Sequence, residues 1–381
     1  MSQARRVPLL LAVLVCFGIA GRSPAAWAAP TAWLLNEDGD AVKLDLTQHT
    51  LGETVDLETA WILLGEVGID RARGNLLVPH GRGPYRVSVF DLKTLKRKGA
   101  LGFEVEDAPT RTAETIRFVF PSSGGTFFAR RWNPEVKDEA KALEVVSIDA
   151  ITFEATVPRT TSPPLADRLM LDATGKKVYS MTTRKPARVD VFDLPGFTHA
   201  SAIDLEPFLN PKAFGRGIFD FADGKILLGE NEKTQRTEAS RYTLFVFEVA
   251  TGKTMPKIRT GLMGDVTLLP RTNRVVFNER KQLQPETKTD RSGGTVVSPG
   301  TIHVYDTTTG NRLGTVQVPM DPAAQWGRIL EISPAEDFLY YLVPRPGRKT
   351  PKLAVVSLRT LSMVKELVLP FSGPRMIVFD E

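Results

Sequence analysis

The chain has 381 residues, 42% of them hydrophobic and 24% charged, with a formal net charge of +5. That much apolar sequence builds one large core and excludes a disordered chain. The single cysteine, Cys16, excludes an intrachain disulfide and a cysteine-built metal site.

Arg5 and Arg6 precede an apolar run from Val7 to Ala20, and Ala26-Trp27-Ala28 fits a small-x-small cleavage site. The run is short for a membrane span, so residues 1–28 are expected to be a signal peptide and residues 29–381 one domain. Val15 before Cys16 does not fit a lipoprotein signal. Cleavage would remove Arg5, Arg6 and Arg22 and no acid, taking the net charge from +5 to +2. A nucleic-acid role then has little support, and Cys16 leaves with the leader. A periplasmic or secreted protein is expected.

The remainder is organised by one repeated unit, clearest in Ile302 to Pro319, IHVYDTTTGNRLGTVQVP. Bulky or β-branched residues form a strand. Asp306 ends it by accepting turn amides, Gly310 takes a positive φ, and a half-exposed strand returns. Versions recur around Asp45, Asp91, Ser147, Asp193, Glu248 and Ser357, which makes seven copies spaced 46 to 58 residues apart. A period of that size with strands only predicts an all-β, seven-bladed β-propeller, four strands to a blade.

In chain order, blade one draws its B, C and D strands from Ala32–Asn36, Ala41–Leu46 and Glu53–Leu57. Blade two has Gly65–Asp70, Asn75–Pro79, Arg86–Leu92 and Gly99–Val105 as A to D. Blade three has Thr115–Phe120, Thr126–Arg130, Leu143–Ile148 and Phe153–Val157. Blade four has Arg168–Leu171, Lys177–Met181 and Arg188–Leu194, and blade five Gly217–Phe221, Lys225–Gly229 and Tyr242–Val249. Blade six has Asp265–Leu269, Arg274–Asn278 and Thr301–Asp306, and blade seven Arg328–Ile332, Phe338–Val343 and Lys352–Leu358. The last strand, Arg375–Phe379, is left without a blade, and blade one lacks an A strand. Placing that strand innermost in blade one closes the ring and removes its open edges.

The B–C connections after Arg130, Glu230, Arg280 and Pro344 are long and polar; the longest, 281–300, is expected to be mobile. They share one end of the propeller with the starts of the A strands, and insertions gathered there mark the working face. At the starts of the A strands stand Glu66, Arg117, Asp167, Arg168, Arg216, Asp265, Arg328 and Arg375. Converging arginines there would form an electropositive funnel for a carboxylate or phosphate. The plainer alternative is that they pair with the acids and cap the channel.

The four histidines, His49, His80, His199 and His303, fall on different blades without metal-ligand spacing. No G-x-S-x-G and no glycine-rich phosphate loop occurs, so neither a metal nor a cofactor is expected. Trp33, Trp61, Trp132 and Trp326 either stack on a partner or fill gaps between blades. The basic run at residues 93–98 reads as a solvated turn.

The strand pattern V-x-V-x-D followed by a T-x-x-x-V hairpin in IHVYDTTTGNRLGTVQV resembles the YVTN-type repeat, over about residues 31–381. Within that group the chain is similar to the superfamily that includes heavy chains of periplasmic quinoprotein amine dehydrogenases. The resemblance implies a scaffold role without a cofactor of its own. Bacterial propeller lactonases are similar in fold, though their acidic and histidine site has no counterpart matched here. The first expectation is an exported propeller binding a protein or small anionic ligand; the alternatives are a lactonase-type hydrolase and a redox-complex scaffold.

Overall fold

The computed structural model of the protein describes residues 30–380 apart from internal stretches, the longer being 63–66, 106–115, 136–142, 183–186, 232–241, 283–295, 321–326 and 346–349. Among the described residues, seven antiparallel sheets of four or five strands follow one another along the chain, with a two-stranded ribbon besides. Six are contiguous in sequence. The seventh joins Thr31–Leu35, Asp40–Asp45 and Thr50–Asp56 to Met376–Phe379, which pairs antiparallel with the first of them from Ala32↔Phe379 to Leu35↔Met376. Thr31 and Asp380 clasp the joint: the Thr31 amide donates to Asp380 Oδ1 at 3.1 Å, and the Asp380 amide to the Thr31 carbonyl at 3.2 Å. The ring is closed as the repeat predicts.

Seven apolar clusters hold it together, each shared by two neighbouring blades. Successive residues of one strand serve different clusters: Leu76 and Val78 face blade one, while Leu77 faces blade three. Both faces of an inner strand are therefore buried, which is why these strands read as unbroken apolar runs rather than alternating ones. Trp33 is such a filler, its indole donating to the Leu92 carbonyl at 3.2 Å across the blade one–two boundary.

In four blades the acid ending the C strand does what its chemistry suggests. Asp45, Asp91, Asp149 and Asp306 each accept the amides two and three residues on, at 2.6–3.1 Å. Those amides hold the Asp149 carboxyl below the usual range. In blade three the turn acceptor is thus Asp149 and not Ser147. Ser147 lies two residues inside the strand and accepts Arg159 Nη2 at 3.3 Å. The D strand there is displaced as well: it is reduced to Arg159–Thr160 and a bridge at Ala155.

With Asp149 as the marker, the repeat gains a feature that composition hides. The residue four beyond each marker has positive φ in all seven blades: His49, Leu95, Phe153, Phe197, Gly252, Gly310 and Leu361. Five are not glycine, in a region costing an ordinary residue about 1 kcal/mol or more. Their side chains act as hooks onto the preceding blade. Phe153 lies over Gly99, Leu361 over Gly314, and Phe197 meets Phe128 edge-on at 4.9 Å. His49 does the same to Phe338 at 4.7 Å, tying blade one to blade seven. In blade six the main chain of blade five is too near for a hook, since a Cβ on Gly310 would lie 3.1 Å from the Lys257 carbonyl oxygen.

The ends of the 281–300 connection pair as a short ribbon, Lys281–Gln282 with Val296–Val297. Its middle, where mobility is expected, lies outside the described residues.

Candidate functional site: the central channel

A strands line the channel, each running from the loop end toward the end where the tight turns lie. In blades five, six and seven they are bulged: the pairing register slips between Ile218 and Asp220, between Met263 and Val266, and between Ile329 and Glu331. A bulge re-aims side chains, and each of these carries or adjoins an acid.

Two of the acids bind the next blade. Asp220 Oδ2 accepts the Leu268 amide of blade six at 2.7 Å, and Asp265 Oδ2 accepts the Ile329 amide of blade seven at 3.1 Å. Carboxylates thereby satisfy innermost-strand N–H groups that no further strand covers.

Of the residues expected at the mouth, Arg117, Arg168, Asp265 and Arg328 are described, all half-buried. Arg117 Nη1 donates to the carbonyl of Ile116 at 3.1 Å, and Arg168 Nη1 to the carbonyl of Phe219 in blade five at 3.0 Å. Asp265 is engaged with a main-chain amide, so the hydrogen bond it makes is not the acid–arginine pairing of the plainer alternative. Glu66, Asp167 and Arg375 lie outside the described residues, as does the side chain of Arg216.

Sequence reasoning overlooked the group nearer the turn end. Glu331 of blade seven lies within electrostatic reach of Asp220 of blade five and of Arg71, which follows the A strand of blade two, and Asp220 lies within reach of Arg168 of blade four. Burial pushes the Glu331 carboxyl up to about 7; the negative charge of Asp220 adds to this, while the Ile332 amide and Arg71 oppose it. Burial likewise raises Asp220, against the amides of Leu268 and Phe221 and the charge of Arg168. Arg71 keeps an exposed surface yet is surrounded closely enough for burial to lower its pKa. The signal was present: an ionisable residue inside an apolar strand, in RILEI and in GIFDFA.

A carboxyl that holds its proton more tightly folded than unfolded contributes stability that is complete below pH 4.5, its ordinary pKa, and lost as pH rises through about 7. The folded protein should lose about 1–3 kcal/mol between about pH 5 and pH 8 through Glu331, after allowance for its partial exposure. Urea denaturation across that range measures it. Glu331→Gln should flatten the decline, and an equally steep decline in the variant would refute the assignment.

The histidines serve the fold. His80 bonds Ser88 at 2.8 Å, His199 bonds Asp190 at 3.0 Å, and His303 lies between Thr315 at 3.0 Å and Glu279 at 3.4 Å. Among the described residues no three histidine, cysteine or acidic side chains gather as a metal site would require. Two surface clefts, of about 320 and 530 Å3, open on the turn face between blades three and four and between blades two and three.

The described tryptophans divide. Trp33 is buried and Trp132 half-buried, whereas Trp61 is 54% exposed on the loop face. The Arg82 guanidinium lies 3.7 Å over the Trp61 ring, and the Gly81 amide donates to the Trp61 carbonyl at 3.2 Å. Trp61 itself sits at φ +63°.

No family model matches the sequence, and no curated protein does either. Solved structures do. A chain of the Kuenenia stuttgartiensis hydrazine synthase is similar with a TM-score of 0.52 and 10% identity, over 80% of this chain and 86% of that one. The dihydro-heme d1 dehydrogenase NirN, solved in complex with DHE, is similar with a TM-score of 0.54 and 14% identity, over 92% of this chain and 74% of that one. Identities this low carry the fold and nothing more. This chain is a seven-bladed β-propeller, latched by its first and last strands.

Proposed function

We propose that the protein is exported to the periplasm or beyond and works by binding, its loop face docking a protein partner around Trp61 and Arg82. The observation behind this reading is Trp61. A tryptophan with half its surface in water gives up much of the stabilisation its burial would bring. Its left-handed backbone adds strain of about 1 kcal/mol or more. The stacked Arg82 fixes the ring outward rather than folding it into the gap between blades. Tryptophan and arginine are the residues that most often dominate protein interfaces, and a pre-ordered pair loses little entropy on docking.

A photo-crosslinking residue at position 61, introduced in the native host, tests this. One discrete adduct is expected, weakened by Arg82→Ala and absent when the probe stands at Asp223 on the turn face. Identical adducts from both positions, or none from position 61, would end the proposal.

A further inference from the structure

Of the seven hook positions, one holds a side chain that can change its charge. Leucine, phenylalanine or glycine stands at the other six, and His49 stands in blade one, where the first and last strands of the chain meet. Its imidazole is 6% exposed and lies edge-on to Phe338 of blade seven at 4.7 Å. Nδ1 is buried and has no hydrogen-bond partner among the described residues. The other three histidines each have one. Charged groups approach the ring from both blades. In blade one, Asp45 Oδ1 accepts the Thr47 and Gln48 amides, both at 2.8 Å. From blade seven, Lys365 Nζ donates to the Gln48 carbonyl at 2.9 Å, which brings an ammonium group to the residue beside His49. Glu336 is turned onto the Arg271 and Thr272 amides of blade six, and Asp337 is exposed.

We propose that His49 is an acid-operated latch: protonation of its imidazole releases the hook from Phe338, and the ring loosens first at the boundary between blades one and seven. An imidazolium carries a proton on both nitrogens. The proton on Nδ1 is then a buried donor without an acceptor, the costly kind of unsatisfied group. Phe338 offers it no acceptor, and Lys365 adds like charge. Letting go also relieves the left-handed backbone at φ +48°. Burial, with the charge of Lys365 second, holds the imidazole below 6.5, its ordinary pKa, against the opposing charge of Asp45. The stability that neutral His49 contributes is therefore complete above 6.5 and lost as pH falls through the lower folded value. Glu331 acts with the opposite sign, since its protonation favours the folded chain, so the latch is read at its own boundary and not from global denaturation. It is independent of the Trp61 surface, and either can fail without the other.

Hydrogen–deuterium exchange of the purified protein tests it, read peptide by peptide at about pH 7.5 and about pH 5 and corrected for the intrinsic rate at each. The boundary strands are Thr31–Leu35, Asp40–Asp45 and Phe338–Val343. Lys225–Asn231 and Tyr242–Glu248 of blade five, which contain no histidine, are the control. On acidification the boundary strands should lose roughly tenfold more protection than the control. His49→Leu, which installs the side chain that hooks at Leu95 and Leu361, should abolish that difference and keep the protection seen at about pH 7.5. His49→Phe, the hook of blades three and four, is the second variant, and thermal unfolding confirms that each folds. The proposal is overturned if the boundary strands lose no more protection than blade five, or if they lose as much in either folded variant as in the wild type.

Discussion

Replacing Phe197 by alanine should cost about 3 kcal/mol, and replacing it by glycine should cost less. The ring is 4% exposed and packs on Phe128 of the preceding blade, so removing it opens a cavity between blades three and four. Alanine retains the penalty of φ +52°, whereas glycine releases about 1 kcal/mol of it. At an ordinary buried strand position the order is reversed, because glycine weakens a strand. Phe192, fully buried in Arg188–Asp193 of the same blade, is the control. Urea denaturation of the four variants should rank glycine above alanine at 197 and below it at 192. The same ranking at both positions would mean that the left-handed turn is not what the hook strains against.

The hook also shows where the sequence was readable and where it was not. The acid-terminated strand is a local signal, because aspartate needs only the next three amides to do its work. With Ser357 standing in for the acid in blade seven, it located all seven C strands and, with them, the blades. Blade three defeated the count by two residues, since VVSID offers a serine that looks like a substituted marker while the aspartate two places on is the true one. Hooks such as Leu95 and Phe197 carry no sequence signature, being apolar residues in positions where a glycine would be expected. Their left-handed backbone is repaid by a neighbour far away in sequence.

The channel was legible only in part. The starts of the A strands could be aligned from the turns, which placed Arg117, Arg168, Asp265 and Arg328 near one another. Bulges at Phe219, Asp265 and Leu330 depend on ring geometry, and they decide which side chains look inward. The inward aim of Asp220 and Glu331 therefore came into view only with the structure. Trp61 could not be told from Trp33 by sequence, because the difference is whether the neighbouring blade leaves a gap to fill.

Ring closure underlies the clusters, the hooks and the convergence of charge from four blades. Leu35 and Met376 stand opposite each other in the joining pair of strands, and residues 29–381 contain no cysteine. Leu35→Cys combined with Met376→Cys should form an intramolecular disulfide under mild oxidation, visible as faster migration on a non-reducing gel. Linking a loop of roughly 340 residues should raise stability by up to about 5 kcal/mol relative to the reduced form. Reduced and oxidised samples that denature alike, or crosslinking only between chains, would contradict a propeller closed by its own ends.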